Sequence, residues 1–238
     1  MRLALLVFAA IVVLLSLPMG GNSFAGVNDK QACDVGADYS LGVEDYTEAI
    51  HRHAQVLKDH PDDAVAHYHL GFAFGMVGKR VAEIREYQRA EALGLTSWDL
   101  FLNLGLAQLE NGDLDTATDS LRRAVLFGEN HPESHFNLAL VDERRGMLEN
   151  AEHEVRASLL LNPEQPDARN LLGVIYARER KISDASRVWQ ELISEMPDYE
   201  PARVNLAILG SPNGGARRET AAVDIPPAAA VNAIGDER

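Results

Sequence analysis

Leu104-Gly105-Leu106-Ala107, Asn111-Gly112-Asp113, Ala117, Leu121 and Ala124 follow one another between Phe101 and Pro163, and then the order returns. The second pass reads Leu138-Ala139, Arg145-Gly146-Met147, Ala151, Val155 and Ser158, each 34 residues after its counterpart. The spacing continues in both directions. Leu70, Leu104, Leu138, Leu172 and Leu206 fall on it, as do Gly71, Gly105, Ala139, Gly173 and Ala207, and Ala117, Ala151 and Ala185. A fixed period of this length means a stack of copies of one supersecondary unit, none of which buries its apolar faces alone.

Positions within the unit are numbered here so that these leucines stand at position 7. Positions 4, 7, 8 and 11 then form an i, i+3, i+4, i+7 stripe, the mark of a helix with one buried face. The third copy departs from it at Asp142. Gly or Ala at position 8 and Ala at position 20 let a second helix approach the first closely. Glu83 replaces that alanine in the first full copy, and it is expected to reach His67 or His69. Gly78, Gly112 and Gly146 follow the first helix, where a left-handed cap is needed that a Cβ opposes. Asp62 or Asp63 and Thr96 or Ser97 are ready N-caps, and Pro132 suits a first helical position.

On these residues the chain resembles the tetratricopeptide repeat, a helix–turn–helix unit of 34 residues. The first-helix signature is matched by Leu70-Gly71 with Phe74, Leu104-Gly105, Leu138-Ala139, and Leu172-Gly173 with Tyr176. Tyr87 and Ala90, Ala117 and Ala124, Ala151 and Ser158, and Ala185 with Trp189 match the second. Pro61, Pro163 and Pro197 stand at the closing proline, where Leu95 and Glu129 depart from it. The resemblance implies an all-α fold, an α-α superhelix (solenoid) of helix–turn–helix repeats. Four full repeats span 64–97, 98–131, 132–165 and 166–199, with a further helix at 200–210 completing a solenoid of 64–210. Residues 26–63 are a short lead and a degenerate capping repeat.

The ends have a different character. Arg2, the apolar run Leu3 to Leu17 and Ser23-Phe24-Ala25 read as a secretory signal over residues 1–25, cleaved before Gly26. An exported protein, periplasmic or extracellular, is therefore expected; an uncleaved N-terminal anchor is the alternative. Residues 211–238, which open with Ser211-Pro212-Asn213-Gly214-Gly215, read as a disordered tail. The whole chain carries 22 Lys and Arg against 36 Asp and Glu, a net charge of −14. That balance disfavours nucleic acid and anionic membrane surfaces as partners. The single cysteine, Cys33, excludes an intramolecular disulfide framework.

No Gly-x-Ser-x-Gly, phosphate-cradling glycine loop or His-Glu-x-x-His occurs, so no enzyme and no cofactor is expected. Five of the eight histidines fall between 51 and 69. His51 and His53, like His67 and His69, are two residues apart on helices and point to opposite sides. A ligand pair on one helix wants i, i+4 spacing. No metal site is therefore assigned, and zinc binding in this region is kept as a secondary reading.

The resemblance implies that positions 2, 5, 9, 12 and 13 of each first helix line a concave groove that holds peptides or helices. The candidate groove residues are Tyr68, Phe72 and Met76; Leu102, Leu106 and Leu109; Phe136, Leu140 and Arg144; and Asn170, Val174 and Arg178. Asn103 and Asn137 join them, because family members that hold extended peptides carry an asparagine ladder at position 6; Asn205 continues the ladder, and His69 and Leu171 interrupt it. Positions 5 and 9 form an apolar ribbon flanked by Asp99, Glu110, Glu133, Glu143 and Asp167. It either floors an open groove or packs between neighbouring first helices. An open ribbon would take a protein or peptide ligand, apolar with basic flanks. The expected function is an exported, non-catalytic protein-interaction scaffold, working as a monomer or within a complex; a subunit of an envelope assembly or secretion machine is the alternative.

Overall fold

A computed structural model describes residues 35–210. The signal read at 1–25, Cys33 and the tail at 211–238 lie outside the described residues. Within them are eleven helices and no strand: α1 (Val35–Gly42), α2 (Tyr46–Asp59), α3 (Ala64–Met76), α4 (Arg80–Ala92), α5 (Trp98–Glu110) and α6 (Leu114–Phe127). They continue as α7 (Pro132–Arg144), α8 (Leu148–Leu161), α9 (Pro166–Arg178), α10 (Ile182–Glu195) and α11 (Glu200–Gly210). Each helix packs on the next, and each first helix also touches the first helix of the following repeat, α3 on α5, α5 on α7, α7 on α9 and α9 on α11. Contacts between neighbouring units alone make an α-solenoid.

The helix ends obey local chemistry. The Asp63 carboxylate accepts from the amides of Val65 and Ala66, both at 3.0 Å, closing two of the four donors that α3 leaves open. Pro132 and Pro166 open α7 and α9 at the first helical turn, where a missing N–H costs nothing. Each turn inside a repeat passes through one left-handed residue at position 15: Glu44 (φ 61°), Gly78 (73°), Gly112 (88°), Gly146 (78°) and Arg180 (64°). The capping repeat shares this turn geometry with the full ones, although its sequence signature is weak.

Inside each hairpin, position 8 sits under the side chain at position 24. A Cβ on Gly71 would lie 2.7 Å from the Tyr87 ring, and one on Gly105 would lie 2.6 Å from Leu121. Gly173 is likewise covered by Trp189. The third repeat has Ala139 at position 8, together with the smaller Val155 at position 24, and both are buried. Small on one helix and large on the other is how close-packed interiors keep their volume constant. The buried side chains join into one apolar cluster running from Leu41 to Leu209.

Asp142, the apolar stripe's exception, is buried at the floor of a cleft of about 310 Å³ formed with Arg122, Val125, Leu138, Asn150, His153 and Glu154. Burial pushes its carboxyl up, against the pull of Arg122 and Arg145. Arg145 lies 3.9 Å away and reaches back to Thr118 and Asp115 of the preceding repeat.

Candidate functional site

Eleven of the fourteen candidate groove residues lie inside the protein. Tyr68, Phe72, Leu102, Asn103, Leu106, Leu109, Phe136, Asn137, Leu140, Asn170 and Val174 are all buried. The apolar members of this set belong to the common core cluster. Bulky groups at positions 5 and 9 of successive first helices fill the space between them, so the ribbon is packing and not an open floor. The asparagines are engaged internally as well. Asn103 donates to the Tyr68 hydroxyl (3.1 Å), Asn137 to the Glu133 backbone carbonyl (2.9 Å), and Asn205 to the Asn170 side-chain oxygen Oδ1 (2.9 Å). That same Asn170 oxygen accepts from the Trp189 indole at 2.9 Å.

Three of the fourteen candidates stay at the surface. Met76 and Arg144 are exposed and Arg178 is half-buried. All three occupy position 13, as does the exposed Glu110, so a row of side chains crosses four repeats at the carboxyl ends of α3, α5, α7 and α9. Of the expected acidic rim only Glu143 is buried, while Asp99, Glu133 and Asp167 are half-buried and Glu110 is exposed. Glu110 pairs with Arg80 of the preceding repeat, Glu143 is buried against Arg178 of the next, and Asp167 accepts from the Tyr199 hydroxyl at 2.6 Å.

The histidines are placed in a way their spacing along the chain does not reveal. His67 Nδ1 lies 2.8 Å from Glu86 and its Nε2 3.2 Å from the Pro61 carbonyl. Two repeats later the arrangement recurs: His135 Nδ1 is 2.8 Å from Glu154 and Nε2 is 3.2 Å from the Glu129 carbonyl. The bond to Glu154 raises the His135 pKa in spite of partial burial, and the Glu129 carbonyl adds to it. Glu83 does not reach His67 or His69, which corrects the expectation for it. Its carboxylate is buried against Gly75 and pairs with Arg80. Burial raises its pKa to about 7 although Arg80 pulls the other way. His69 Nδ1 instead lies 2.9 Å from Asp38 Oδ1, and His53 Nε2 lies 3.9 Å from the same oxygen. Sequence reasoning tested pairs on one helix, whereas α1, α2 and α3 each contribute one member of this group. The signal available in the sequence was the histidine density between 51 and 69.

No known family's profile matches the sequence, and no curated protein matches it. Solved structures do. YrrB, a TPR protein described as having an unusual peptide-binding site, superposes with a TM-score of 0.67 at 24% identity, over 71% of this chain and 87% of its own. MamA superposes at 0.63 with 21% identity, over 66% and 92% of the two chains. A tetratricopeptide repeat protein from Parabacteroides merdae ATCC 43184 superposes at 0.67 with 17% identity, over 78% and 74%. The fold is therefore that of tetratricopeptide-repeat arrays. No described helix is long and apolar enough to cross a membrane.

Proposed function

We propose that this protein is an exported, non-catalytic scaffold that binds a segment of another protein along the edge of its first helices. The observation that carries the reading is the position-13 row. Met76, Glu110, Arg144 and Arg178 repeat every 34 residues at the ends of helices that themselves lie side by side. A rigid, evenly spaced set of surface groups suits a peptide or helix crossing several repeats. The peptide-binding site ascribed to YrrB, which has the same fold, supports the reading. The net charge of −14 favours a ligand with basic flanks. Because the floor residues are packed, contacts begin at this rim, and the deeper apolar residues serve to hold it straight.

The test is a crosslinking pull-down from an envelope fraction, comparing wild type with Met76→Asp/Arg144→Glu. Circular dichroism checks that the fold is intact. The expected outcome is loss of a specific partner, and an unchanged set of partners would remove the reading. Export is tested separately by the mass of the chain recovered from cells, which should correspond to cleavage after Ala25.

One observation favours a second reading, membership of a larger envelope assembly. Leu126 and Leu160 are 75% and 83% exposed, and each is followed by an apolar residue that is under half exposed, Phe127 and Leu161. The pairs stand at positions 29 and 30 of adjacent repeats, and recurrent apolar groups at one edge mark a contact surface. Sedimentation velocity on wild type and Leu126→Glu/Leu160→Glu decides this. A self-associated species or stoichiometric complex lost in the variant supports it; identical monomeric behaviour of both removes it.

A further inference from the structure

Among the described residues, one group of side chains can surround a metal ion: Asp38 from α1, His53 from α2 and His69 from α3. Each offers one ligand atom, and the three atoms lie within 4.8 Å of one another. Asp38 Oδ1 is 2.9 Å from His69 Nδ1 and 3.9 Å from His53 Nε2. Metal–ligand bonds of about 2.0–2.1 Å in a tetrahedral site set the ligand atoms roughly 3.3 Å apart. The two measured separations bracket that value. The two imidazole rings stand 5.2 Å apart at 64°, so they do not stack.

We propose that Asp38, His53 and His69 bind a divalent transition-metal ion of the zinc class, leaving the remaining coordination position to water. Two imidazoles and one carboxylate suit zinc and its first-row neighbours, whereas calcium and magnesium take oxygen ligands almost exclusively. His53 is almost fully enclosed, while the Asp38 carboxylate is about a third exposed, which gives the ion an entry path. The ligands also lie where a staple has most effect. α1 is an eight-residue helix, too short to be stable alone, and it docks through Ala37 and Leu41. A shared ion ties it to both α2 and α3 at the amino-terminal end of the described helices. Binding requires neutral imidazoles and an ionised carboxylate, so affinity falls as the pH drops below the ordinary histidine range.

The experiment is isothermal titration calorimetry of the metal-free full chain with zinc, paired with cobalt substitution read by visible absorption and with thermal melts. One ion per chain, a tetrahedral cobalt spectrum and a melting temperature raised by metal are expected. Asp38→Asn and His69→Gln change partly exposed groups and keep their size; each should fold as wild type does without metal while losing both the stoichiometric binding and the thermal shift. His51→Gln and His60→Gln, at exposed positions outside the triad, should change nothing. Absence of stoichiometric binding overturns the proposal. So does binding that persists in Asp38→Asn and His69→Gln, or binding lost only when Cys33 is replaced by serine.

Discussion

The amino-terminal end of the array and its centre meet the same packing demand with different chemistry. Positions 5 and 9 of α5 and α7, Leu102, Leu106, Phe136 and Leu140, are buried in one apolar cluster with Tyr68 and Phe72 of α3, so the contrast lies in the side chains around them. Around α3 the buried or half-buried neighbours include His53, His67, His69, Glu83 and Glu86. Several polar groups there lean on a specific counterpart, Glu86 for His67, Arg80 for Glu83 and Asp38 for His69, a device the centre repeats once in His135 and Glu154. The repeat period fixes where a side chain points, but not how its burial is compensated. An apolar core tolerates any filling of the right volume, whereas a polar one depends on partners that are individually replaceable at a cost.

The largest test of that contrast is truncation at the centre. Phe136→Ala should cost about 3–5 kcal/mol, since a buried ring is lost and the neighbouring first helices cannot collapse into the gap. His69→Ala at the metal-free amino-terminal end should cost about 1–2 kcal/mol, the price of one hydrogen bond and some packing at a partly exposed site. Urea unfolding followed by circular dichroism measures both. Equal losses would mean that the two ends of the comparison are held in the same way.

How much of this was legible beforehand divides along the same line. The period, the helix pairs and the close approach of the two helices at Gly71 and Gly173 follow from residue type and spacing, because sterics at those positions admit few solutions, whereas the large partners Tyr87 and Trp189 over them emerge only in the structure. The groove did not follow. A helical wheel assigns Leu106 and Phe136 to a face, but whether that face is open depends on the width of its neighbours' side chains across repeats. The grouping of Asp38, His53 and His69 was hidden for a related reason, since residues from three helices meet only once the interhelical geometry is set. Glu83 was read as a partner for histidine from its position alone. Its nearer partner, Arg80, lies one turn away on the same helix and satisfies it first.

Acidity sharpens the comparison next. The folded-state pKa of Glu83 is raised from 4.5 to about 7, so its folded form prefers the proton. That contribution is complete below the unfolded value of 4.5 and is lost as the pH rises through about 7. Glu83→Gln should remove this dependence and gain up to about 3 kcal/mol relative to wild type above neutrality. His135 has its pKa raised above 6.5 chiefly by Glu154. Its contribution is present below 6.5 and is lost as the pH rises through the higher folded value. His135→Gln should therefore cost about 1 kcal/mol under mildly acidic conditions and less in alkali. Urea midpoints from pH 4 to 9 read both, and parallel curves for wild type and Glu83→Gln would show that Arg80 keeps the carboxylate charged throughout.

The smallest effect concerns the turn that both regions share. Position 15 is left-handed in all five hairpins, yet only three of the five carry glycine there. Arg180 has φ 64° and Glu44 has φ 61°, a conformation that crowds any Cβ. Arg180→Gly relieves that crowding but gives the unfolded chain more freedom, so the net gain should be only about 0.5–1 kcal/mol. Gly146→Ala at the matching position should cost about 1 kcal/mol, being the same exchange run backwards. Glu44→Gly sits in the capping repeat, where α1 is held by fewer neighbours. If that repeat unfolds before the rest, its gain will be invisible in the global transition and will show only as slower amide exchange in α1 and α2. A full gain in the global midpoint would instead place the capping repeat inside the same cooperative unit as the centre.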